Sequence, residues 1–327
     1  MDLALSLTTP GLTVPELASL ARWAEELGYG EAWLSEVAGP EAFVTAAATA
    51  AATERMTVGV AVVPAYTRTP AVLAMAASSV SQVLAGRPFR LGIGSSSEAI
   101  VDGWNGVAFE RPLTRVRETA EAVRAGLDEV GDFEGRTVAM RRFRNAAPAA
   151  GPVSVYVGAL NPGMLRVAGA VGDGVCLNMM PAEVVPRQLA EVRHGAAAAG
   201  RDPAGFGVMA RLQVAVTDDP APVREVLRRT FLGPYLAQPV YNRFLAWMGF
   251  EDEAAAIAEG WAARDREAVA RAVHDGLVDR LTLVGDGGAV RDRLDAFAGA
   301  GVTTAALSVL SPDRAVVEET LRVLAPA

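Results

Sequence analysis

The segment Leu91-Gly92-Ile93-Gly94-Ser95-Ser96-Ser97-Glu98 places two glycines and three hydroxyls at the end of an apolar run. Glycine lets backbone approach an anion or the edge of a flat ring, because no side chain holds the ligand off. Ser95, Ser96 and Ser97 suit hydrogen bonds to a polar chain or ring edge; the plainer reading is a serine-rich turn. A serine nucleophile is not indicated, since the G-x-S-x-G elbow and a nearby histidine are both missing. A second glycine-rich end follows at Gly158-Ala159-Leu160-Asn161-Pro162-Gly163-Met164. Pro162 and Gly163 open a helix there, and free amides at a helix start attract anions. The plainer reading is a turn that caps the helix, with Asn161 as either a ligand contact or a cap.

Other side chains offer charge. The run Ala32-Trp33-Leu34-Ser35 hands over to Glu36. Tyr66-Thr67-Arg68 lies between another apolar run and the helix signal Thr69-Pro70. Arg68 either grips a carboxylate or phosphate with its planar fork of donors, or pairs with a nearby acid and fixes its loop. Tyr66 closes one side of a pocket or simply packs, and Trp104 presents the same choice. Cys176, alone on an apolar run, reads as a small hydrophobe. His194 falls in a polar, alanine-rich helix and reads as a surface residue.

These segments need a frame. Leu3–Leu7, Glu31–Ser35, Met56–Val63, Phe89–Ile93, Val153–Val157, Gly174–Asn178, Phe206–Val216 and Thr304–Leu310 read as eight strands. Helical patterns separate them. Thr13, Pro15 and Glu16 open one such helix as a capping box, and Gly28 follows its end. Arg111–Val130 reads as one long helix. Eight strands alternating with helices predict an α/β fold, a (β/α)8 TIM barrel whose mouth gathers the polar strand ends. Residues 218–280 interrupt the spacing and carry Tyr235, Tyr241, Phe244, Trp247 and Phe250. They read as a mostly helical insertion between strands seven and eight, within one domain spanning 1–327.

Composition narrows the function. The chain has 327 residues, 51% of them hydrophobic, enough for a full barrel core. One cysteine excludes an internal disulfide framework, and two distant histidines argue against a histidine-based metal site. A net charge of -8 disfavours nucleic acid as a partner. No apolar run reaches membrane-spanning length, and Met1-Asp2-Leu3 lacks the basic start of a signal peptide. A cytoplasmic location with a small-molecule substrate is therefore expected.

In order and spacing, several motifs resemble the bacterial luciferase-like superfamily, and within it the coenzyme F420-dependent oxidoreductases such as methylenetetrahydromethanopterin reductase. They are Val62-Val63-Pro64-Ala65-Tyr66-Thr67-Arg68-Thr69-Pro70, Leu91–Gly94, Phe109-Glu110-Arg111-Pro112-Leu113, Gly158–Gly163 and Gly172-Asp173-Gly174-Val175. The resemblance covers nearly the whole chain. It implies hydride transfer to or from C5 of a deazaflavin laid across the mouth, usually in a homodimer; FMN in a monooxygenase, or a silent barrel, are the alternatives. It implies Glu36, Tyr66 and Arg68 as catalytic candidates. It further implies a non-proline cis peptide at Ala61-Val62 behind the ring, and cofactor contacts from Glu36, Ala61, Val62, Ser95–Ser97, Gly158–Asn161, Gly163 and Met164. Similar enzymes often carry a histidine after the acidic residue. Here Val37 follows Glu36, so a proton route through that histidine is closed. Asp173 is expected to brace the lower face.

Overall fold

Runs of Val, Ile, Leu and Ala buried on both faces make parallel strands. The computed structural model, which describes residues 1–128 and 130–326, arranges eight of them as a closed barrel. The strands are β1 (Asp2–Leu7), β2 (Glu31–Leu34), β3 (Thr57–Pro64), β4 (Phe89–Gly94), β5 (Val130–Glu134), β6 (Ala139–Arg144), β7 (Val153–Gly158), β8 (Gly174–Asn178), β9 (Gly207–Val216), β10 (Leu283–Gly285) and β11 (Thr304–Val309). Around the barrel the order is β11, β1, β2, β3, β4, β7, β8 and β9, and β9 pairs back onto β11. All eight predicted strands are present. β10 adds a short ninth, which pairs in parallel with the upper end of β9 from Leu283↔Val214 to Gly285↔Val216.

The helix expected over 111–130 is shorter. It runs Pro112–Leu127, residue 129 lies outside the described residues, and β5 and β6 form an antiparallel hairpin. The buried Glu118 carboxylate holds the hairpin turn, accepting from the Arg136 amide at 3.0 Å and the Thr137 amide at 2.7 Å. Between β9 and β11 the chain is mostly helical, from Pro220–Val226 to Asp275–Leu281. An apolar cluster including Leu232, Leu236, Leu245, Ile257, Val273 and Leu277 fills this segment.

Inward-facing side chains pack the barrel itself. Trp33 and Tyr156 meet edge to face at 5.4 Å, among Ala4, Cys176, Met209 and Ala306. Arg90 lies over both rings and bonds the buried Glu31 carboxylate at 2.8 Å, which also accepts from the Trp33 indole at 2.8 Å. A desolvated charge pair of this kind persists because its remaining donors and acceptors are met.

One carboxylate sets the approach to β3. Glu25, 7% exposed, accepts from the amides of Glu54 at 3.0 Å, Arg55 at 2.7 Å and Met56 at 2.7 Å. Burial alone raises its pKa, but those amides and the Arg55 charge outweigh it and hold it below the usual carboxylate value. A lowered native pKa means that the unfolded chain takes up the proton first. The stabilisation is therefore complete above the ordinary glutamate pKa and is lost as pH falls through the native one. Glu25→Gln is expected to cost about 1–3 kcal/mol at pH 7. Urea denaturation should show that difference shrinking towards pH 3; a constant difference would rule out the charged form as the active brace.

Candidate active site at the barrel mouth

The loop after β2 carries Glu36, and the loop after β3 carries Tyr66 and Arg68. Arg68 grips Glu36 with two parallel bonds of 2.7 Å and reaches Glu41 at 2.5 Å. Glu36 also accepts from the Ala42 amide at 3.2 Å. Both carboxylate oxygens of Glu36 are thus engaged, and Arg68 is the shared cation of two acids. Of the two readings open for Arg68, the structure displays the rim ion pair. The pair ties the start of the helix Ala42–Ala52 to the loop before the helix Pro70–Leu84. Tyr66 is buried, donates its hydroxyl to the Glu110 carbonyl at 2.6 Å and packs on Phe109. Burial pushes its pKa up, so the phenol keeps its proton.

The floor of the mouth is built around Val62. The Ala61–Val62 peptide is cis, as expected from the resemblance. The Val62 side chain lies against three glycines. A Cβ placed on Gly94 would stand 2.4 Å from Val62 Cγ2, and one on Gly158 2.9 Å from Val62 Cγ1. A Cβ on Gly92 would stand 2.2 Å from the Val60 carbonyl oxygen. Glycine is therefore required here for close packing, and the result is a wall with few projecting side chains.

The serine loop follows directly. Ser96 adopts a left-handed conformation at φ 60°, and the Ser97 carbonyl accepts the amides of Ile100 and Val101. Ser95, Ser96 and Ser97 are all half-buried after β4. After β7, the helix Pro162–Val171 begins with the Met164 and Leu165 amides both donating to the Asn161 carbonyl, at 3.0 and 3.1 Å. Pro162 has no N–H, so the Gly163 amide is the open donor of that first turn. Asn161 does not cap the helix with its side chain; it donates to the Val240 carbonyl at 3.1 Å and so ties this loop to the helix Pro239–Trp247. Ala159 is buried and Leu160 packs at the core edge.

Sequence reasoning missed the opposite side of the mouth. Arg211 and Gln213 on β9, Ser308 on β11, Asn178 at the end of β8 and Thr8 after β1 form a polar group there. Tyr235 and Tyr241 from the helical segment lie beside it, their rings 5.5 Å apart. The signal was available: in Val208-Met209-Ala210-Arg211-Leu212-Gln213 the two polar residues share the inward parity of Met209. Other candidates fall outside the site. Asp173 accepts from the Val155 amide at 2.8 Å and pairs with Arg124 at 2.7 Å, bracing the strand starts as expected. Cys176 is buried, and burial raises its pKa. His194 is exposed, and Trp104 is 60% exposed.

Comparison with known proteins places this architecture. The family model described as luciferase-like monooxygenase matches residues 2–304. The chain is 31% identical over 215 residues to 5,10-methylenetetrahydromethanopterin reductase of Methanolobus tindarius, covering 65% of each chain. It is 32% identical over 184 residues to F420-dependent glucose-6-phosphate dehydrogenase of Rhodococcus erythropolis, covering 54% of each. Among solved structures it is similar to the coenzyme F420-dependent tetrahydromethanopterin reductase of Methanopyrus kandleri, with a TM-score of 0.83, 22% identity, and 99% and 97% of the two chains covered. At that identity the last likeness is one of fold.

Proposed function

Because the chain belongs to the luciferase-like monooxygenase family, we propose that it is an F420-dependent oxidoreductase acting on a small organic molecule. The glycine-backed wall around Val62 is the observation that carries this reading. A flat tricyclic ring needs such a wall, and Gly92, Gly94 and Gly158 let Val62 and the β3 backbone pack closely to form it. F420, when bound, supplies the hydride acceptor or donor at its deazaflavin carbon. The protein's part is to hold the ring, orient the substrate carbon and keep water out.

In this reading Ala61 and Val62 back the ring, and Ser95, Ser96 and Ser97 bond its edge or side chain. Gly158, Ala159, Leu160, Asn161, Gly163 and Met164 receive the phosphate. Glu36 and Arg68 hold the rim against the ring, and Tyr66 closes the same side. With both Glu36 oxygens engaged, its part is placement more than proton transfer. The protein is proposed to act as a cytoplasmic homodimer, which sedimentation equilibrium checks. No helix among the described residues is long and apolar enough to cross a membrane.

Equilibrium binding to F420 and to FMN, measured side by side, tests the proposal. A clear preference for F420 is expected; a preference for FMN would move the protein to the monooxygenase branch. Gly163→Asp provides a second check. A Cβ there would meet only the movable tip of Leu113, at 3.1 Å, so the fold should survive. The new carboxylate would face the phosphate, and affinity should fall about tenfold or more, ~1.4 kcal/mol. Unchanged affinity would move the phosphate elsewhere.

A further inference from the structure

The Arg211 guanidinium is half-buried at the mouth, and among the described residues no carboxylate lies within ion-pair distance of it. Its partners are hydroxyls: Thr8 at 3.2 Å, and Ser308 at 3.3 and 3.4 Å. Charge-assisted bonds to an anion run shorter, about 2.7–2.9 Å, so these contacts leave the guanidinium poorly compensated. The other half-buried arginines near the mouth each have an acid or a carbonyl: Arg68 has Glu36, and Arg115 has the Ala65 carbonyl at 3.0 Å. Two residues further along the same inward face, Gln213 is 1% exposed. Its amide nitrogen donates to Asn178 at 3.3 Å, while its carbonyl oxygen has no donor. A desolvated cation without a counter-ion and a buried acceptor without a donor are both costly to keep. One ligand relieves both if it carries an oxyanion and a neighbouring hydroxyl or amine.

We propose that Arg211 and Gln213 form the substrate subsite, with Arg211 binding a carboxylate or phosphate oxyanion and Gln213 accepting from a hydroxyl or amine beside it. The inference rests on the oxidoreductase reading for the identity of the ligand as substrate. Around the eight-strand ring β9 stands opposite β3, so the subsite faces the Val62 wall across the mouth. Burial pulls the Arg211 pKa down, with Tyr235 and Tyr241 opposing, and an arginine stays charged regardless. Tyr241, whose hydroxyl accepts from Asn178 at 3.5 Å, roofs the same group.

Calorimetric titration with inorganic phosphate, glycolate and the neutral glycolamide tests it, with and without saturating F420. The wild-type protein is expected to bind at least one anion and not the amide, and the preferred anion distinguishes phosphate from carboxylate. Arg211→Gln should weaken that binding by about tenfold or more and leave F420 affinity within about twofold. Thr8→Glu serves if Arg211→Gln does not fold: it offers Arg211 an internal carboxylate and should abolish anion binding without lowering the melting temperature. Binding of neither anion by wild type, or wild-type binding by either variant, overturns the proposal. Loss of anion binding on F420 saturation also overturns it, because the site would then belong to the cofactor. A protein that binds FMN instead of F420 but keeps Arg211-dependent anion binding refutes the cofactor reading alone and supports the subsite.

Discussion

Gly94→Ala is expected to destabilise the protein by about 1–3 kcal/mol, the range for forcing extra volume into a packed core. The added methyl would stand 2.4 Å from Val62 Cγ2. Val62 has little room to yield, since its other methyl already packs against Gly92 and Gly158, where added Cβ atoms would stand 3.1 and 2.9 Å from Cγ1. A β-branched side chain also has few alternative rotamers. Removing the obstacle should therefore rescue the variant. In a Val62→Ala background, Gly94→Ala should cost less, with a coupling of about 0.5–3 kcal/mol. Gly92→Ala is the control: its methyl meets the Val60 carbonyl oxygen at 2.2 Å, and truncating Val62 cannot move that backbone atom. Urea denaturation of the single and double variants decides the matter. Equal costs for Gly94→Ala in both backgrounds would mean that Val62 does not set the shape of the wall.

Arg68→Met is expected to lower stability by about 1–3 kcal/mol and to weaken cofactor binding. Breaking a fully buried pair costs about 3–5 kcal/mol because a charge is left behind. Arg68 and Glu36 are each 17% exposed at the side chain, so solvent screens part of that penalty. The variant also leaves Glu36 and Glu41 facing each other without the cation they share. Glu36→Gln keeps the shape and removes one charge, so its effect on melting should be smaller. Thermal melts and F420 titrations of the two variants separate the roles of the pair. If Glu36→Gln bound F420 normally but lost about 10²–10⁴ in single-turnover hydride transfer, Glu36 would be handling a proton.

The barrel was legible because its strands are buried on both faces. Val58-Gly59-Val60-Ala61-Val62-Val63 and Leu91-Gly92-Ile93-Gly94 stand out from helices that end in clear stop signals. The β5–β6 hairpin was not legible. Ala139-Met140-Arg141-Arg142-Phe143-Arg144 is largely exposed, and its charges resemble a solvated helix face more than a strand. β10 has three residues, too few for any period to show. At the mouth, glycines and serines advertised themselves because composition alone is unusual there. The partner choice of Arg68 could not be read, since Glu36 and Glu41 approach it across 32 and 27 positions of sequence. Arg211 was passed over as part of a strand. Its meaning lies in the neighbours that three other strands bring to it, none of which is near it in sequence.

The helical segment between β9 and β11 has an apolar cluster largely its own, and it is joined to the barrel by the β9–β10 ladder and by Phe244, Trp247 and Met248, which pack against the barrel core. That arrangement separates two kinds of evolutionary freedom. Tyr235 and Tyr241 stand on this separate cluster, whereas Val62 and its glycines stand on the strands of the barrel. On the proposed function, a lineage built this way would change its substrate by drift in one segment while keeping the strands that shape the wall.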